Sequence, residues 1–414
     1  MTSQMKHRVP MHLDNARVID PVSGGISSPM TITVVDGLIA EVKEGDPAQP
    51  GDHLNLTGLF VLPGLIDCHV HVTAFSADEA RITDTSPSYV TARAAKSMRE
   101  MLMRGFTTVR DAAGADYGLA AAVAEGLFLG PRLLFGGPGL TQTGGHADHR
   151  LAGQHDSPQG ARFPSHGVVC DGEVEVRRAA RDVLRTGADH IKIMLSGGVA
   201  SPTDRVDSSQ FSASEIRTVV EEAESAGRYV MGHAYPARAI NRGLEAGVRS
   251  VEHGNLLDDT SIELFVRMKA FLVPTLITYR ALAEEGERWG LPAKSAAKVK
   301  DLLEFGLEAL RRADAGGVQV AFGTDLLGGM QRLQSEEFAL RGKVQAPLTV
   351  IRSATVVGAK LLGLEEVIGE IKPGFAADLI AVTENPLDHL ETLADPENRV
   401  RLVMRAGEVV RNSV

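Results

Sequence analysis

Two textures of hydrophobic patterning divide this chain. Residues 1–60 and the stretch after residue 369 carry short apolar runs broken by polar turns, the mark of brief strands. Within the first stretch, residues 30–42 read MTITVVDGLIAEV, two β-prone runs around Asp36-Gly37. That pair predicts a type I′ hairpin, because both turn residues need positive φ. In the last stretch, ADLIAVT and VRLVMRAGEVV resemble hairpin halves.

Between them the apolar runs are nearly continuous and alternate with longer helical segments. Eight such runs occur: VLPGLIDCHVHV (61–72), TTVRDAA (107–113), RLLFGGPG (132–139), DHIKIML (189–195), YVMGHAY (229–235), SVEHGN (250–255), FLVPTLI (271–277) and VQVAFGTDL (318–326). Residues 89–104 have helical spacing. Residues 213–227 do too, with Ser212 ahead of them and Gly227 at the end as caps. Eight βα units with strands apolar on both faces predict an α/β fold, a (β/α)8 TIM barrel. An open doubly wound sheet is the alternative, disfavoured by the count and by the polar residues at the run ends. The predicted division is a composite β-sandwich from residues 1–62 and 370–414, with the barrel over 63–369.

The polar interruptions of the apolar runs are chemically selective. His69 and His71 form an H-x-H at the end of the first run; residues two apart on a strand point the same way and can reach one ion. His233, His253 and Asp325 end the fifth, sixth and eighth runs. In a barrel these C-terminal ends converge on one cavity. Lys192 sits between Ile191 and Ile193 in the fourth run, where an unpaired ammonium is costly. A depressed pKa would leave a nucleophilic amine able to take up carbon dioxide. The carbamate so formed suits two divalent ions roughly 3.5–4 Å apart. Singly, each residue has an ordinary structural explanation; six on the ends or interiors of five strands do not. The long polar loop over residues 140–170 carries His146, His149, His155 and His166 and falls on the same barrel face. His7, His12, His53, His190 and His389 read as surface or packing residues.

The net charge of -10, from 43 basic and 53 acidic residues, argues against a nucleic-acid groove and an anionic membrane surface. No apolar run is long enough to span a bilayer and the start lacks an apolar leader segment, so the chain reads as cytoplasmic. A leader removed earlier stays open. Two cysteines, Cys68 and Cys170, make no disulfide framework; Cys68, inside an apolar strand, reads as a buried thiol.

With those residues placed, the chain resembles the amidohydrolase superfamily over nearly its whole length. PGLIDCHVH looks like the first-strand signature and GEIKPGFAADLIAV (369–382) like that of the C-terminal β domain. GGHAD (144–148), DHIKIMLSGGVASPTD (189–204), GHAYPARAI (232–240), RSVEHGN (249–255) and AFGTD (321–325) look like the branch of prolidase-type and carboxypeptidase-like enzymes, which also holds ochratoxin A hydrolases. The resemblance implies two divalent ions, zinc suiting the donor set. His69, His71 and Asp325 would hold the more buried ion and His233 and His253 the second. N6-carboxylated Lys192 would bridge them. It further implies that Asp325 moves the proton, and that His146 and Tyr235 face the oxyanion. Gly197, Gly198 and Arg238 would meet a substrate carboxylate. The expected substrates are small dipeptides or N-acyl amino acids, ochratoxin-like amides included, and the expected assembly is a homo-oligomer, up to an octamer. Hydrolysis of a cyclic amide, urea or carbamate, and a non-catalytic scaffold, stay open as alternatives.

Overall fold

In the computed structural model the described residues are 9–45, 50–150, 153–154, 163–201, 204–299 and 301–414. They fall into two compact units. The first holds the described residues up to Ile66 together with Met101–Thr108 and Ala346–Val414; the second holds Asp67–Glu100 and Val109–Gln345.

The first unit is built on one sheet of eight strands. Along it run Glu408–Asn412, Val400–Arg405, Leu379–Val382, Phe60–Pro63, Met11–Ile19, Ile26–Val35 and Leu38–Glu44, with Asp52–Asn55 also paired to Met11–Ile19. Chain beginning and chain end meet where Leu379–Val382 lies antiparallel to Phe60–Pro63. Leu13, Ile32, Val34, Val61, Leu379 and Leu402 cluster into its core. The hairpin between Ile26–Val35 and Leu38–Glu44 turns on Asp36 (φ 49°) and Gly37 (φ 83°), both left-handed as a type I′ turn requires. The C-terminal segments gain one detail. ADLIAVT and VRLVMRAGEVV do supply antiparallel partners, but the segment between them is long and a second turn falls inside VRLVMRAGEVV. Leu379–Val382 pairs antiparallel with Val400–Arg405, and the tight turn lies between Val400–Arg405 and Glu408–Asn412.

Each of the eight apolar runs contains a strand. Leu65–Val70, Phe106–Asp111 and Arg132–Phe135 form a three-stranded sheet. A parallel sheet of seven runs through Gly167–Val169, Gly139–Thr141, His190–Met194, Tyr229–Pro236, Ser250–Leu256, Phe271–Val273 and Gln319–Val320. From His190–Met194 onward, spatial order follows chain order. Strands Leu65–Val70, Phe106–Asp111 and His190–Met194 are buried at every position, which explains their unbroken hydrophobicity. The interspersed helices follow local signals: Ala213–Ser225 opens with a capping box of Ser212 and Glu215, and Gly227 beyond it has φ 66°.

Cys68 and Cys170 are free and buried, and desolvation pushes each thiol up to about 12. In the native protein neither should react with a disulfide-exchange reagent at pH 8, and both should react after unfolding. A thiol that reacts at once in the native protein would contradict this packing. No helix among the described residues is long and apolar enough to cross a membrane.

Candidate metal centre

His69 and His71 leave the end of strand Leu65–Val70 with both rings toward Asp325. His69 Nε2 lies 3.3 Å and His71 Nε2 3.1 Å from Asp325 Oδ1. One ligand atom from each of the three residues falls within 4.8 Å of the other two. Asp325 is brought there by its backbone: its N–H donates to His69 O at 2.8 Å, and its φ of 52° turns the chain. Gly323 permits the approach, since a Cβ there would stand 2.9 Å from His69 Cβ. His233 and His253 arrive from adjacent parallel strands, ring centroids 4.5 Å apart, with His253 5.2 Å from His69. All six predicted metal ligands, Lys192 included, line one cavity.

The imidazoles are held at their other nitrogens. His71 donates through Nδ1 to Ala113 O (2.8 Å), and His233 through Nε2 to Gly197 O (3.2 Å). His69 Nδ1 is bonded to Glu252 Oε2 (2.8 Å) and His253 Nδ1 to Thr275 Oγ1 (2.8 Å). Such outer partners fix the tautomer and ring orientation of metal-binding histidines. The last contact involves strain. His253 (φ 74°) and the β-branched Thr275 (φ 46°) both adopt the left-handed region, which side chains with a Cβ seldom occupy.

The charges of the cluster centre on Asp325. Burial alone would neutralise the His71 ring, but Asp325 beside it outweighs burial and lifts it to about 9. Asp325 is held well below the carboxylate range, burial being overcome by His69 and His71. Burial and neighbouring cations press His233 and His253 far down, leaving neutral rings. Burial pushes Lys192 down to about 8. A carboxylate, oriented imidazoles and a lysine near neutrality form a nitrogen and oxygen donor set that fits divalent ions of the zinc type.

Beneath the centre lies a network that sequence reasoning missed. Glu252 and Arg110 are fully buried. Arg110 Nη2 donates to both Glu252 oxygens at 3.0 and 3.1 Å, Nη1 to Ser250 Oγ at 3.1 Å, and Nε to Cys68 O at 2.6 Å. The signal was present: each is a charge inside an apolar run, as Lys192 is. The long loop also reaches the site, since His146 and His166 line the cavity. His149 pairs with Glu79 at 2.9 Å, and His155 lies outside the described residues. His12 and His190 are packed in the interior, His53 and His389 are partly or largely exposed, and His7 is outside the described residues.

His146 stacks on His233 with centroids 4.2 Å apart, and Tyr235 on His253 at 5.1 Å. Three other expectations need correction. The Gly197 amide donates to Ser208 O and the Gly198 amide to Asp204 Oδ2, each at 3.0 Å, so loop closure already engages both. Arg238 does not line the cavity; its Nε donates to Ser209 Oγ at 2.9 Å on the exposed side.

The model of the amidohydrolase family matches residues 60–410. The chain belongs to the amidohydrolase family. It is therefore a hydrolase acting on carbon–nitrogen bonds of the amide type, in a family that is generally metal-dependent. The ochratoxinase of Aspergillus niger is 34% identical to this amidohydrolase over 368 residues, 85% of this chain and 75% of that one. The crystal structure of a prolidase complexed with N-methylphosphonate-L-proline is 41% identical, with a TM-score of 0.95 over 97% of this chain and 100% of that one. Another amidohydrolase structure is 44% identical, with a TM-score of 0.95 over 97% and 99%.

Proposed function

We propose that this amidohydrolase is a binuclear metal-dependent hydrolase of the amide bond in dipeptides and N-acyl amino acids, ochratoxin-like amides among them. The observation that carries the reading is the holding of four imidazoles, each tied at one nitrogen, around Asp325 and Lys192 in a single cavity. Similarity to a prolidase and to an ochratoxinase supports the substrate class. His69, His71 and Asp325 would hold one ion, His233 and His253 the other, and Lys192, carboxylated at Nζ, both. When bound, such ions supply Lewis-acid polarisation and a water acidic enough to attack near neutral pH.

The remaining work belongs to side chains. Asp325 takes the proton of the attacking water and returns it to the departing nitrogen, acting as base and then as acid. Tyr235 and His146, on the cavity wall, donate to the carbonyl oxygen as its charge grows. Burial raises the Tyr235 phenol, which keeps it a donor through the neutral range. The cavity stands at the mouth of what we read as a closed (β/α)8 barrel, with a β-sandwich formed by the first unit. Closure is supported by the bonds Cys68 N to Phe322 O and Asp189 N to Phe135 O, at 2.8 and 2.9 Å.

Zinc-loaded protein screened against dipeptide and N-acyl amino acid libraries should release free amino acids. A chelator should stop the release and added zinc restore it. Ring opening of cyclic amides or ureas without amino acid release would overturn the substrate class. A metal-free protein inactive on every amide would leave only a scaffold.

A further inference from the structure

His146 needs a fixed ring to donate to an oxyanion, and among the described residues its ring contacts come from outside its own loop. The ring is wedged between His233 and Gly198, where a Cβ would stand 2.2 Å from His146 Cε1. That wedge fixes the plane but not the rotation within it. Rotation is set at Nδ1, which lies 3.4 Å from Asp204 Oδ2 and 3.2 Å from Ser201 Oγ. The backbone of His146 is tied to the same carboxylate. Its N–H donates to Gln210 Oε1 at 2.9 Å, and Gln210 Nε2 donates to Asp204 Oδ2 at 3.3 Å.

Asp204 gathers more than His146. It accepts from the Gly198 amide at 3.0 Å and from the Ser201 hydroxyl. Lys298, on helix Ala293–Val299, donates Nζ to Gly198 O (3.0 Å), Ser201 O (2.9 Å) and Asp204 Oδ1 (3.3 Å). The Asp204 side chain is 2% exposed and that of Lys298 19%. A carboxylate so deeply buried is costly unless paired and bonded, and every partner here converges on the segment carrying His146 or packing against it. The pairs hold Asp204 ionised, since the groups around it outweigh its desolvation.

We infer that Asp204 is the positioning residue of His146, and that Lys298 latches Asp204 to the wall of the cavity. With Nδ1 occupied, Nε2 is the nitrogen left to serve substrate. The inference rests on the role given to His146 in the proposed reaction. Neither Asp204 nor Lys298 belongs to the ligand set, so metal content separates this role from a role in the centre.

The test is a double-mutant cycle in zinc-loaded full-length protein. Asp204→Asn should lower kcat by about 10²-fold, the scale of losing one oriented donor. Its KM should stay within about threefold and its zinc content unchanged. In a His146→Ala background, Asp204→Asn should cost less than about threefold more, because the group it orients is gone. Lys298→Met should follow the same pattern more weakly, and Lys298→Arg should restore it. A proton NMR signal of the His146 Nδ1–H, assigned by its loss in His146→Ala, should shift upfield in Asp204→Asn. Equal losses in both backgrounds, a change in KM alone, or loss of zinc would overturn the inference. If Asp204→Asn does not fold, Lys298→Met carries the cycle. If wild-type protein cleaves no amide, the proposed function falls, and the Nδ1–H signal, read in Asp204→Asn or Lys298→Met, decides the positioning role alone.

Discussion

Replacing Lys192 by alanine is expected to lower kcat/KM by at least about 10³-fold, the scale of losing one member of an interdependent catalytic set. It should also empty the site of part of its metal. The side chain is 2% exposed and lies inside a strand buried throughout. An ammonium there lacks water, and although Glu252 and Asp325 favour the charged form, burial outweighs them and brings the amine to about 8. Near that pH much of the amine is neutral and can add to carbon dioxide, releasing one proton and leaving a carbamate anion. A short carboxylic acid such as acetate should then partly restore the alanine variant, because it returns the missing anionic oxygens. Were the lysine needed as an ammonium, methylamine would restore activity and acetate would not. Metal analysis and a titration with each additive decide the matter. A fully active Lys192→Ala, or rescue by the amine alone, ends the bridged two-ion reading.

The second large effect is on stability. Arg110→Met should destabilise the protein by about 3–5 kcal/mol, because it strands Glu252 as an unpaired buried carboxylate. Both partners are 0% exposed, and Arg110 meets both Glu252 oxygens. Glu252 is held well below the carboxylate range: burial would raise it, and Arg110 and His69 overcome that. A depressed carboxylate contributes stability that is full above its unfolded pKa and is lost progressively below it, so the penalty is full at pH 7 and shrinks steadily as the pH falls below 4.5. Adding Glu252→Gln should recover part of the loss, since the amide carries no charge and its oxygen can still accept from His69. Calorimetric Tm at one fixed zinc concentration measures this, because bound metal shifts Tm by mass action. A single Arg110→Met variant within about 0.5 kcal/mol of wild type would show that the pair is not what holds the strands.

Much of the centre was legible because the chemistry is written in residue types at strand ends. His69-x-His71, Lys192, His233, His253 and Asp325 stand out against nearly continuous apolar runs, and they do line one cavity. Helix limits were legible where a cap was local, as at Ser212 and Gly227. The network behind the cavity was not, although its charges lie in the same runs. Arg110 and Glu252 are 142 residues apart, and nothing local to either announces the other. The substrate-side expectations at Gly197, Gly198 and Arg238 failed for a related reason. Whether an amide or guanidinium is free depends on what the fold has already bonded to it: Ser208 and Asp204 hold the two amides, and Ser209, 29 residues away, holds the guanidinium.

By itself the sequence located a strand in each apolar run, the Asp36-Gly37 turn, and six chemically selective residues that the fold brings to line one cavity. Each follows from local periodicity and from side chains whose chemistry does not depend on neighbours. Tertiary structure alone decided which nitrogen of each imidazole is held, that Glu252 stands behind His69, and that Asp204 and Lys298 stand behind His146. These depend on register between distant strands, such as Lys192 opposite Met231 and Met194 opposite His233. A shift of one residue would turn every side chain of a strand to its other face, and periodicity alone does not state the register.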